Sequence, residues 1–282
     1  MFWPAIATAV SSWWLLTGLA LLLAHQSGQR AHAGFMLVSI LALAALLLVP
    51  FNASLATPMA AALGFILGLV IWCWLEISYL LGYVNGPNHR PCPPEVAVWD
   101  RFKGAVSTTI YHEACVVSAV AFLALISGTE PNPTAFYTVT VLWLMRWSAK
   151  LNLFFGVRAF NERWLPDHLN YLVSYLRTDR LSIFLPLSTA AGFFLTYLIF
   201  KNAILVPDLT QQLSFYLVGS LMLLASIEHL FLMFPVNEAA LWRWARPNEP
   251  RLRAVRIEKD EIWKPLTSHF RPSFLDGVYF QE

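Results

Sequence analysis

Charge is what this chain has least of. Only 13% of its 282 residues are Asp, Glu, Lys or Arg, against about 25% in soluble domains. That scarcity excludes an ordinary soluble enzyme. The net charge of +2 says little by itself, its distribution says more, and no nucleic-acid partner is expected. Cysteine is scarce as well: Cys73, Cys92 and Cys115 form no CxxC and no even set, which excludes a disulfide framework or a zinc finger. There is no glycine-rich phosphate loop, no G-x-S-x-G and no Ser/His/Asp set in a suitable context. The N-terminus lacks a basic region and a cleavage site, so it is read as a first spanning helix rather than a removed signal peptide. Internal repeats and low-complexity segments are also missing.

Apolar residues fill the chain instead. They make up 57% of it, and the mean hydropathy is +0.56. The expected fold class is all-α: a polytopic membrane protein with a bundle of seven transmembrane helices and cytoplasmic amphipathic helices. A span takes about 20 apolar residues. Seven stretches qualify, at 3–23, 33–51, 59–83, 104–126, 134–157, 182–200 and 213–234. Many of the twelve tryptophans, among them Trp3, Trp13, Trp14, Trp99, Trp164, Trp242 and Trp244, are expected near span ends, where indoles favour the headgroup level.

Lysine and arginine set the orientation. The links after spans one, three and five hold Arg30, then Arg90, Arg101 and Lys103, then Arg158, Arg163, Arg177 and Arg180. The tail after span seven is basic from Arg243 onward, while the opposite links hold only Lys201. The N-terminus is therefore expected to be periplasmic and the C-terminus cytoplasmic. Residues 1–236 form the expected membrane domain, with an interfacial cytoplasmic element in 158–181. Within it, Leu165, Leu169, Leu172, Val173 and Leu176 recur at helical spacing, with Pro166 well placed for the first turn of an amphipathic helix. Residues 237–282 form an expected basic cytoplasmic tail, opening on the amphipathic Leu241, Trp242 and Trp244. Anionic headgroups would attract its arginines; a solvated tail folded over the loops fits equally.

The charges that do lie inside spans are the candidate site. Each costs about 2.5–3.5 kcal/mol at the centre of a bilayer helix, so each needs a partner. At about 1.5 Å per residue, Glu76 lies about 10 Å from its inner span end, and His112 and Glu113 about 12–14 Å into theirs. On span five Arg146 lies about 15 Å and Lys150 about 9 Å from the inner end, and Glu228 and His229 lie about 8–9 Å deep on span seven. Arg146 and Lys150, four apart, share a face. Four spans thus place ionisable groups in one inner layer, with Asn152 just beyond it.

Three readings stay open. In the first the layer is structural: Glu76, Glu113 and Glu228 pair with Arg146 and Lys150, and the histidines bond across helices. In the second Glu76, His112, Glu113, Glu228 and His229 hold iron, manganese or zinc, as carboxylate-rich bundles do. The adjacent pairs His112-Glu113 and Glu228-His229 depart from the one-face Glu-x-x-His spacing of such sites, and the two cations repel a dication. In the third a histidine ligates a bacteriochlorophyll-type pigment in a pocket walled by Phe and Trp. Asp167 and His168 fall in the first turn of the interfacial element, where Asp suits the helix dipole. Alternatively, that element, with Glu162, Asp167 and His168, is a lid beneath the polar layer, and Glu162 or His168 completes a site.

Three blocks carry a resemblance: Tyr111-His112-Glu113; Ala149-Lys150-Leu151-Asn152 through Phe155-Gly156-Val157; and Leu165-Pro166-Asp167-His168-Leu169 with Tyr171-Leu172 and Ser174-Tyr175. Over nearly the whole chain, and most specifically from Lys150 to Tyr175, the sequence resembles the photosynthetic complex assembly proteins of the PuhE type. The resemblance implies an integral protein of the inner, photosynthetic membrane, encoded near the reaction-centre H subunit. It implies a role in assembling reaction-centre and core-antenna complexes, through bacteriochlorophyll, light-harvesting or reaction-centre subunits, or other assembly factors. It carries over no catalytic residue. The alternative is a membrane metal-dependent oxidoreductase of pigment synthesis that uses the Glu/His cluster.

Overall fold

Every element of the computed structural model is helical, among the residues it describes: 1–160, 165–234, 236 and 238–245. In chain order they are α1 (Phe2–Ala24), α2 (Gly28–Ala53), α3 (Pro58–Leu80), α4 (Val98–Ser107), α5 (Ile110–Ser127), α6 (Thr134–Phe155), α7 (Phe184–Leu205) and α8 (Leu209–Phe231). Two 3-10 helices cover Asp167–Tyr175 and Glu238–Ala245. Met1–Pro247 is one compact unit; the second, Asn248–Glu282, lies outside the described residues.

Local chemistry sets the ends. Thr57 caps α3 by accepting from Ala60 N, with Pro58 in the first turn. Asp208 caps α8 by accepting from Gln211 N. Gly156, at φ +143°, ends α6 in a conformation that other residues rarely adopt.

Six helices are long and apolar enough to cross a membrane: α1, α2, α3, α5, α7 and α8. α6, expected as a further span, has a suitable 22 residues, about 33 Å of helix. Its cations and threonines keep it out of that apolar set. It packs against α3, α5, α7 and α8. In the most apolar stretches of α3 and α8, 56% of residues are buried, against 17–22% in α1, α2, α5 and α7. α3 and α8 are therefore the inner helices. One core joins α2, α3, α5 and α6 around Val49, Ile71, Leu75, Val116, Leu123 and Val139. Another joins α1, α3 and α8 around Ala9, Phe65, Leu69, Leu217 and Leu221. α3 and α6 approach so closely that a Cβ on Gly68 would lie 2.9 Å from Ala135 O. Small residues permit such contacts between apolar helices.

Three expectations need correction. The stretch 104–126 is not one helix: α4 stops at Ser107, and Thr108-Thr109 separate it from α5. The N–H groups of Tyr111 and His112 donate instead to Asn85 O, at 2.9 and 3.1 Å. His112 and Glu113 therefore belong to the first turn of α5 rather than lying eight or nine residues inside a span. The interfacial element is a 3-10 helix, with Pro166 before its first residue rather than within its first turn. Trp13 and Trp14 lie mid-way along α1, not at its ends. Trp242 is buried against Trp13, with ring centroids 5.0 Å apart. Paired indole bonds explain this placement: Trp14 Nε1 donates to Leu241 O and Trp242 Nε1 donates to Trp14 O. Most of the expected basic tail, from residue 246 on, lies outside the described residues.

Candidate functional site

The polar layer forms where α3, α5 and α6 meet. α6 supplies both cations, one turn apart, and each reaches a different helix. Arg146 Nη2 meets Glu76 Oε2 of α3 at 2.9 Å. Lys150 Nζ meets Glu113 Oε1 of α5 at 2.6 Å, and it donates to Thr109 Oγ1 at 3.2 Å. The second oxygen of Glu113 accepts from Trp147 Nε1 at 2.8 Å, with Trp143 Nε1 at 3.4 Å. Lys150 also lies over the Tyr79 ring, 5.1 Å from its centroid. Pairing of this kind is what buried charge requires.

His112 is 1% exposed and packs on Tyr79. Its Nε2 is 3.9 Å from Glu76 Oε1, too far for a hydrogen bond. Glu76 Oε1, His112 Nδ1 and Arg146 Nε are all buried without a hydrogen-bond partner.

α8 carries a second knot. Glu228 Oε1 accepts from Trp13 Nε1 of α1 at 2.6 Å. His229 Nδ1 contacts Ala225 O at 2.8 Å and Nε2 contacts Ser148 Oγ of α6 at 2.9 Å. A carbonyl only accepts, so Nδ1 bears the proton and Nε2 accepts from the serine hydroxyl. Both ring nitrogens are engaged. Adjacent residues thus point to different helices, as a 100° turn per residue demands. Glu228 still lies within the electrostatic reach of Arg146.

Of the expected site residues, Glu76, His112, Glu113, Arg146 and Lys150 come together, with Glu228 and His229 in the knot beside them. Asn152 is fully buried and separate, donating to Ser188 Oγ of α7 at 2.9 Å. Asp167 and His168 are exposed, the latter beside Gly82 at the end of α3. Glu162 lies outside the described residues. Among the described residues no three His, Cys, Asp or Glu side chains converge as metal ligands.

Sequence reasoning missed the indoles and the cap. Trp143, Trp147 and Lys150 are spaced four and three apart, a one-face pattern that was available to read. The cap gathers around Arg101, which is 9% exposed. Its guanidinium donates to Phe154 O at 2.8 Å and Tyr175 O at 3.2 Å, and it lies 4.1 Å from the Phe154 ring centroid. Burial, then the nearby Arg177, pull Arg101 below the ordinary guanidinium pKa, yet an arginine stays charged. Tyr175 Oη accepts from Asn88 Nδ2 at 2.8 Å and donates to Arg90 O at 3.1 Å. The 3-10 helix thereby fastens the α3–α4 link to the end of α6.

Residues 1–253 match the family described as "Protein of unknown function (DUF3623)". A relative from Rhodobacter capsulatus, named "Uncharacterized 30.4 kDa protein in puhA 5'region", is 31% identical over 250 residues, covering 87% of this chain and 91% of the relative. No solved structure matches the chain.

Proposed function

This chain belongs to the DUF3623 family, and from that premise we propose that it is an integral membrane assembly factor for bacterial photosynthetic reaction-centre and core-antenna complexes. The observation that carries the reading is the relative's place in the puhA 5′ region of Rhodobacter capsulatus. The resemblance of the Lys150 to Tyr175 block to PuhE-type proteins points the same way. The side-chain chemistry agrees with a scaffold: Glu113 is spent on Lys150 and two indoles, and His229 on Ser148 and Ala225 O. In this reading α6 is the seventh span, the N-terminus is periplasmic, and the 3-10 helix Asp167–Tyr175 lies on the cytoplasmic face of the photosynthetic membrane. Exposed apolar side chains of α2, such as Leu37, Ile40, Leu43 and Phe51, then meet lipid or partner subunits.

The test is to purify the tagged full chain from phototrophic membranes of its host and to delete its gene. Reaction-centre or antenna subunits should co-purify, with or without bacteriochlorophyll, and deletion should lower the amount of assembled complex. Normal complex levels after deletion, together with stoichiometric iron, manganese or zinc that is lost in Glu113→Ala, would overturn it.

A further inference from the structure

α4 and the first residue of α5 carry an open groove of about 290 Å³, lined by Trp99, Phe102, Lys103, Val106, Ser107 and Ile110. Positions three and four apart share a helix face, so these residues form one stripe, and it runs on across the break at Thr108-Thr109. The opposite side of α4 is the packed one. Arg101 is held by the carbonyls of Phe154 and Tyr175, and Thr108 is buried. Gly104 lies so close to Tyr175 that a Cβ would come within 2.9 Å of its ring. α4 thus turns Arg101 inward and its apolar stripe outward, the reverse of a surface helix on a soluble protein. Trp99 is 65% exposed and Ile110 41%, and the Trp99 and Phe102 rings stack at 5.5 Å.

Depth and charge define what fits. α5 has 18 residues, about 27 Å of helix, close to the hydrocarbon thickness of about 30 Å. Ile110, at its start, therefore lies at the edge of the hydrocarbon, and the groove leads from there into the headgroup layer. In the other direction the exposed Ala114, Val117, Ala121 and Leu125 continue the stripe along α5. Lys103 is the cation of the groove. It pairs with Asp100 Oδ1 at 2.7 Å, with both side chains more than half exposed. Such a pair is weak, and it leaves two ammonium donors unused. The indole N–H of Trp99, one turn away, adds another. A partner helix would cover the apolar residues but offer these donors no main-chain acceptor, because its own carbonyls are bonded within it. We propose that the groove holds a membrane phospholipid, with its phosphate on Lys103 and Trp99 and one acyl chain running past Val106 and Ile110 along α5. The proposal does not depend on the assembly role.

The probes are dioleoyl phosphatidylglycerol and dioleoylglycerol, which has the same chains and no phosphate. Each is added to the delipidated full chain in detergent, and retention is read by native mass spectrometry. The native chain should keep one phospholipid at a concentration at least tenfold below that needed for dioleoylglycerol. Lys103→Ala should close that gap, while Lys201→Ala leaves it open. Equal retention of the two probes by the native chain overturns the proposal without any variant, and so does a gap that survives Lys103→Ala. Location is read separately, with a photo-reactive benzoylphenylalanine in place of Val106 in the host's membrane. An adduct with the mass of one phospholipid supports the site; a cross-link to a polypeptide, or no lipid adduct, overturns it.

Discussion

Two arginines tie segments of this protein together, and they do so through opposite kinds of partner. Arg146, within α6, meets a carboxylate from a distant helix. Arg101, in the cap, meets main-chain carbonyls at the end of α6 and of the 3-10 helix. In the polar layer charge answers charge, so each cation depends on one carboxylate for its countercharge, which a single substitution can remove. In the cap a cation answers the partial negative charge of helix ends, which no side-chain substitution abolishes. The layer is therefore the brittle region and the cap the tolerant one.

The sharpest way to break that contrast is Glu113→Ala. It strands Lys150 in the layer and should destabilise the protein by about 3–5 kcal/mol. Unfolding of the purified chain in mixed micelles reads this out, and adding Lys150→Met should recover most of the loss. Equal losses from the single and double variants would mean that the pair is no unit. Arg101→Ala should cost less, about 2 kcal/mol, because it leaves neutral carbonyls rather than a full charge without a partner. Its signature is faster proteolysis near residues 165–182, with the unfolding of the bundle nearly unchanged; a loss as large as that of Glu113→Ala would erase the distinction. Trp13→Phe removes one indole donor from Glu228 and should cost about 1 kcal/mol. Since Glu228 has further interactions, the bundle should keep its secondary structure by circular dichroism. Collapse of the helices would instead make the α8 knot as brittle as the layer.

How far these regions could be read in advance differs for a physical reason. Arg146 and Lys150 share a face because the helical period says so, and the cost of burying them demands carboxylates. Pairing with Glu76 and Glu113 was therefore legible. Glu228 was expected in the same pairing; it lies within the electrostatic reach of Arg146 and also accepts from Trp13, an indole mid-way along α1 that serves as a donor rather than as an interfacial anchor. The break at Thr108-Thr109 was hidden because the apolar pattern runs on through it. The start of the new helix is capped by the carbonyl of Asn85, more than twenty residues earlier in the chain.

Hydropathy and period, which are properties of consecutive residues, were enough to place most of the helices and to show that α6 carries cations needing partners. Which helix supplies each partner, why Arg146 stays accessible while His112 does not, and how Arg101 is stitched to carbonyls of two other elements were decided only by the packed bundle. These depend on distances between segments far apart in the chain. No local pattern encodes such distances, because each is set by how all the helices fit together.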